Sequence, residues 1–374
     1  MSFEKAFAEY LGCKFARAAA SGRDALEIAL VALQLRPGDE AIIPAYTLGE
    51  LIPLIQALDL KVIPADIYED TFNIDIEHLK SRFNEKTRVV IATHLLGSPC
   101  NIEAICALAK DRNVYVIEDC AHALGAHIID RKVGTFGDAA IFSFESTKAL
   151  PTYGGGMIAT NRSDIIDRAA TILNNRTQKK LPVIRKTFFT WMEELLIRSP
   201  FYSIISKILF SESFARSFEK FYRSSHDRIR SQKTAYSDFQ ARLGLRGLRV
   251  LDDRNDRLNR RWNELAQKLP YGFTAQKRDQ IGSPAFYNFV CLIQCDPSEF
   301  RRQATRYGID IGIGSEVEDD CGRLLGFDDC PETTRVFKRA IMLPLYEALS
   351  DAEFNYLISV LDKFAKQNFS SILK

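Results

Sequence analysis

Six short apolar runs divide the first 160 residues: AIIPAY (41–46), KVIPADI (61–67), RVVIATHL (88–95), VYVIED (114–119), AAIFSF (139–144) and GGMIAT (155–160). Each is rich in Val, Ile or aromatics, and most lack polar alternation, the pattern of strands buried on both faces. Helical stretches at 48–58, 74–83 and 102–112 separate the first four, and another at 23–34 ends at Pro37-Gly38. Repeated strand–helix alternation predicts an α/β fold, a mostly parallel sheet covered by helices on both sides.

The remaining chain differs in character. Between 177 and 233 an insert combines large apolar side chains with a cationic excess; 174–233 holds 13 Lys or Arg against 5 Asp or Glu. Then follow a helical run, DFQARLGLRGLRVLDDRNDRLNRRWNELAQKL, a strand in FYNFVCLIQC, a helix in PSEFRRQATRYG and a terminal helix in SDAEFNYLISVLDKFAK. This predicts a large domain over 1–246 and a smaller α+β domain over 247–374. The net charge of +2 gives no overall field for nucleic acid. Eight scattered cysteines without a CxxC pair suit reduced, buried thiols better than a disulfide framework or a zinc site, so no metal is expected. The chain shows no signal leader and no apolar run long enough to span a bilayer, which predicts a cytoplasmic protein.

Two windows carry chemistry. GTFGDAAIFSFESTKALPTYGGGMIAT (134–160) places Lys148 just past a buried strand and ahead of Gly154, Gly155 and Gly156. That is the strand end where open α/β sheets bind ligands, although an isolated loop lysine is ordinarily a solvated surface residue. VIEDCAHALGA (116–126) also ends a buried strand and presents Asp119 and His122 three residues apart. No GxGxxG follows the first strand, which argues against a dinucleotide-dependent oxidoreductase.

With four other segments in the same order, these windows resemble the DegT/DnrJ/EryC1/StrS family, the pyridoxal-phosphate-dependent sugar aminotransferases of fold type I. SGRDALEIALVAL is similar to the family's phosphate turn and helix, and RPGDEAIIPAYT to its PGDEVI-P-T strand. SDFQARLGLRGLRVLDDRNDRLNRRW resembles its late helix, and MLPLY its C-terminal LP motif. The resemblance implies a seven-stranded, mostly parallel sheet in the large domain and a homodimer with a shared site. It implies Lys148 as the amine that holds pyridoxal 5'-phosphate and then serves as general base and acid. Asp119 is implied against the pyridine nitrogen, where its carboxylate favours the protonated ring. His122 stands where a Gln or His contacts the ring's phenolic oxygen. Gly22, Arg23 and Asp24 open the phosphate-binding helix, and Ser143 adds a hydroxyl.

The sequence also departs from the family. Arg23 replaces the usual threonine, and Leu48 replaces an aromatic that stacks on the ring. Lys233 stands where the partner subunit's asparagine would reach the phosphate, and is either such a contact or a surface residue. IGIGSEVEDDCGR (311–323) replaces a His- and Pro-rich segment that often meets the sugar. The implied reaction moves an amino group, from glutamate or another amino acid, to a keto-sugar, nucleotide-activated, for surface glycan. Two alternatives are another pyridoxal-phosphate enzyme acting on sugars and a non-catalytic cofactor-binding protein. The insert fits a helical hairpin on its own subunit or a partner, a peripheral membrane contact through 185–225, or a guide for an anionic substrate.

Overall fold

The computed structural model describes residues 2–177, 233–278 and 282–369. Seven strands form the main sheet: β1 (Phe15–Ala19), β2 (Glu40–Pro44), β3 (Lys61–Ala65), β4 (Thr87–Thr93), β5 (Tyr115–Asp119), β6 (Ala139–Ser143) and β7 (Gly156–Thr160). Their order is β1-β7-β6-β5-β4-β2-β3. The five strands from β6 to β3 run parallel, while β7 is antiparallel to both β6 and β1. All six apolar runs thus form strands of this sheet. The seventh, β1, carries the sequence FARAA, whose alanines and half-buried arginine give no β-branched signal.

Neighbouring residues of one strand feed different cores. Ile42, Val90, Val116, Phe142 and Met157 pack on one side, with Phe3 and Phe7 of the helix Phe3–Leu11. Ile43, Val89, Ile117, Ile141 and Ile158 pack on the other, with Leu26 and Leu30 of the helix Gly22–Ala32. Side chains alternate across a strand, so covering both faces with helices requires an apolar residue at every position. Each such aliphatic side chain contributes about 1.5–3 kcal/mol by leaving water.

The helical run predicted after the insert is two helices, Asp238–Leu248 and Leu251–Gln267, broken at Arg249-Val250. The first has a Ser237/Gln240 capping box and lies so close to the main sheet's side that a β-carbon on Gly244 would meet the Phe3 ring at 2.5 Å. The second is shared between cores: Leu251 packs with the main sheet, whereas Leu258, Trp262 and Leu265 pack with the C-terminal elements. Those elements are an antiparallel sheet, in the order Phe273–Ala275, Phe289–Ile293, Ala340–Leu343, Gly312–Ile313, and the helices Pro297–Arg306 and Asp351–Asn368. Residues 178–232, including the stretch 185–225, lie outside the described residues. No helix among the described residues is long and apolar enough to cross a membrane.

Glu118, one residue before the end of β5, ties the ends of three elements together. Its buried carboxylate accepts N–H bonds from Gly134 (2.7 Å), Phe136 (2.6 Å) and Gly137 (2.7 Å), and pairs with His94 Nε2 at 3.1 Å. Truncation would strand one buried and two half-buried donors, at a cost of up to about 1–3 kcal/mol each. Glu118→Ala is therefore expected to lower the unfolding free energy by about 3 kcal/mol or more, read from urea melts; a loss below about 1 kcal/mol would contradict this role.

Candidate active site

The carboxyl ends of β2, β4, β5 and β6 converge on one cavity of about 230 Å³. Thr93, Asp119 and Ser143 are the last residues of β4, β5 and β6, and Thr47 and Leu48 follow β2; all five line it. This is the edge of an open parallel sheet at which ligands bind.

One end of the cavity is built for an anion. Ser21, extended at φ −162°, caps the helix Gly22–Ala32 by accepting the Asp24 N–H at 3.1 Å. The helix start presents its unpaired first-turn N–H groups and the positive end of its dipole. A β-carbon on Gly22 would come within 2.9 Å of the Ser143 Cβ, so only glycine lets helix and strand end approach this closely. Gly154 and Gly155 have φ of +109° and +107°, and they bring β7 alongside Ser21. Gly22, Arg23 and Ser143 line this end, with the Arg23 guanidinium ion-paired to Glu50.

The other end holds titratable groups. Asp119 is buried, and its Oδ1 accepts the Ala121 N–H at 2.9 Å. Burial pushes its carboxyl up, opposed by that N–H and by the charge of Lys148. Lys148 Nζ donates to the Tyr287 hydroxyl at 3.1 Å and lies 4.4 Å from the centre of that ring. The opposite partner of Tyr287 is His122, stacked with centroids 3.8 Å apart and planes 11° from parallel. Burial, reinforced by Lys148, holds the imidazole well below its ordinary titration range, hence neutral. His122 Nδ1 is buried without a hydrogen-bond partner, and so is the hydroxyl of Thr93.

Of the residues singled out in the sequence, Gly22, Arg23, Leu48, Asp119, His122, Ser143 and Lys148 come together around this cavity. Leu48 is 42% exposed at the rim. Two do not reach it. The Asp24 carboxylate accepts the Ala20 N–H at 2.9 Å and is clamped by both terminal nitrogens of Arg176, which turns it away. Lys233 pairs with Glu27 at 2.5 Å on the outer side of the same helix.

Tyr287 and Glu318 belong to this constellation and were not legible in the sequence. The segment 311–323 folds back onto the main sheet: Asp319–Asp320 pairs antiparallel with Tyr46–Thr47, Asp319 accepts the Gly49 N–H at 2.8 Å, and Cys321 N–H bonds to Ala45 O. Glu318 is thereby delivered into the cavity with its Oε1 3.6 Å from His122 Nδ1. The only signal was that 311–323 departs from the family pattern. His94, Glu118 and Cys120 also cluster, but both imidazole nitrogens are engaged, Nδ1 by the Cys100 N–H and Nε2 by Glu118. They leave no lone pair for an ion.

The arrangement fits pyridoxal phosphate. A phosphate would meet a helix start closed against Ser143, a protonated ring nitrogen would relieve a buried carboxylate, and an amine lines the same cavity. Burial pushes the Glu318 carboxyl up to about 8 from an ordinary 4.5, with Asp119 and Asp319 adding and Lys148 opposing. The folded protein keeps a proton there that the unfolded chain releases, so Glu318 costs stability progressively as pH rises through that interval. Glu318→Gln is expected to raise the melting temperature of the cofactor-free protein at about pH 9 and to leave it unchanged at about pH 4. An equal effect at both values would contradict the assignment.

Comparison with known proteins gives the family. The sequence profile of the DegT/DnrJ/EryC1/StrS aminotransferase family matches residues 1–362. The spore coat polysaccharide biosynthesis protein SpsC of Bacillus subtilis is 28% identical over 97% of this chain and 89% of its own. The GDP-perosamine synthase of Vibrio cholerae is 36% identical over 172 residues, 46% of this chain and 47% of that enzyme. An aminotransferase structure from Psychrobacter cryohalolentis shares the fold with a TM-score of 0.76 at 22% identity, over 100% of this chain and 91% of that one. The chain belongs to the DegT/DnrJ/EryC1/StrS family and is a pyridoxal-phosphate-dependent aminotransferase.

Proposed function

We propose that this enzyme transfers an amino group from an amino acid, glutamate in the first instance, to a nucleotide-activated keto-sugar on the way to a surface glycan. The observation that carries the reading is the meeting of Lys148, Asp119 and the Gly22 helix start in one cavity. The sugar rests on the similarity to the Vibrio cholerae synthase and to the Bacillus subtilis polysaccharide protein.

When bound, the cofactor supplies an aldehyde and an electron-withdrawing ring that carries the amino group between two half-reactions. Lys148 would hold it, and its amine would serve as general base and acid at the substrate carbon, aimed by Tyr287. Asp119 keeps hydrogen on the ring nitrogen, and the fall in its carboxyl pKa on meeting that positive charge drives the pairing. Gly22 and Arg23 orient the phosphate through backbone N–H groups, and Ser143 through its hydroxyl. Leu48 covers a ring face by apolar contact alone. Asp24 fixes the helix start from behind through Arg176. We place the cofactor side in residues 1–246 and a closing C-terminal unit in 247–374. A homodimer in the cytoplasm completes the reading, with 185–225 available for membrane contact and Lys233 exchanging Glu27 for the partner's phosphate.

Product mass spectrometry with glutamate and a nucleotide-linked keto-sugar tests the reaction. Wild type is expected to yield the amino sugar and 2-oxoglutarate. Lys148→Ala should lower kcat about 10²–10⁴-fold or more, the range for losing a general acid–base. Asp119→Asn should retain cofactor but lose about 10²-fold or more in kcat. Amination by Lys148→Ala at the wild-type rate would overturn the assignment.

A further inference from the structure

The stacked rings of His122 and Tyr287 fix the imidazole plane, and the Tyr287 hydroxyl is in turn held by Lys148. Within that plane His122 Nδ1 is buried and unpartnered, while Nε2 makes no hydrogen bond among the described residues. The nearest carboxylate to Nδ1 is that of Glu318, whose Oε1 lies 3.6 Å away, a few tenths of an ångström beyond hydrogen-bond length. Glu318 is rigidly delivered, because the next two residues pair with Tyr46 and Thr47 and Cys321 is tied to Ala45.

We propose that Glu318 is a positioning residue that acts through His122, bonding Nδ1 and thereby holding the imidazole in the tautomer with its hydrogen on Nε2. The charged and titratable groups facing Glu318 are Asp119 at the end of β5, Lys148 after β6, Asp319 beside it and the buried Tyr46 hydroxyl. Two buried acids against one amine favour a neutral Glu318, and a neutral carboxyl donates its O–H to Nδ1. A nitrogen that accepts cannot also carry hydrogen, so in a neutral imidazole the hydrogen must sit on Nε2. That is the nitrogen left to meet a phenolic oxygen in the cavity. The opposite tautomer would turn a lone pair toward that oxygen and repel it. The same logic governs metal-bound histidines, whose outer partner selects which nitrogen is free.

The inference rests on the contact between His122 and the cofactor, and its test separates the two. Nitrogen resonances of isotope-labelled histidine in the cofactor-free full chain report the tautomer, with His122→Gln identifying the His122 signals among the five histidines. Wild type and Glu318→Gln, whose amide can still donate, are expected to show hydrogen on Nε2. Glu318→Ala should show a mixture or the opposite tautomer. It should also bind pyridoxal phosphate about fivefold to tenfold more weakly, the cost of one hydrogen bond, while Glu318→Gln binds as wild type does. If Glu318→Ala does not fold, Glu318→Met fills the same space without a hydrogen bond and takes its place. An unchanged tautomer in the apolar variant overturns the proposal. A changed tautomer with unchanged cofactor affinity upholds the pairing and overturns the His122 contact instead.

Discussion

A carboxylate buried at the end of a central strand, with one backbone N–H for company, is an unstable thing to build, and the site is organised around Asp119 for that reason. Its burial pushes the proton on, opposed by the Ala121 N–H and by Lys148. The position follows directly from the sheet. Asp119 is the last residue of β5, whose neighbours β4 and β6 are both parallel to it, so all three chains leave the sheet on the same side. Lys148 follows β6 by a few residues and can only emerge into that space. A charged ring placed between the two would convert a cost of folding into binding energy.

The rest of the molecule holds this edge still. Glu118, adjacent to Asp119, is anchored by three backbone N–H groups and His94, so β5 cannot slide relative to its neighbours. On the anion side, Gly22 closes against Ser143 and Gly156 against Ser21, with no room for a β-carbon at either glycine. Arg176 performs a similar service from outside by neutralising Asp24. Positioning here is therefore done by satisfied backbone groups in rigid elements, and the reactive side chains are what those elements leave over.

How much of this the sequence discloses depends on sequence distance. Strands β2 to β7 were legible because burial on both faces leaves runs of Val, Ile and aromatics. FARAA was not, because β1 forms through pairing with β7, some 140 residues away in the chain. Lys148, Asp119, His122, Ser143 and Gly22 were legible because each belongs to a local motif next to a strand end or helix start. Arg23 and Leu48 likewise reach the cavity, whereas Asp24, at the helix start, gives its N–H to Ser21 and its carboxylate to Arg176. Tyr287 and Glu318 lie in segments whose local patterns say only strand or loop. Their place depends on the C-terminal elements folding back: Tyr287 is 139 residues from Lys148 and still bonds it. The segment 311–323, which departs from the family's His- and Pro-rich pattern, contributes an acid, Glu318, to the cavity.

The most direct measurement is borohydride reduction of the full chain in the presence of pyridoxal phosphate, followed by peptide mass spectrometry. The reduced cofactor is expected on Lys148 at about one equivalent per chain, and Lys148→Ala is expected to take up none. Label on a different lysine, or protein that remains unlabelled while folded, would contradict it.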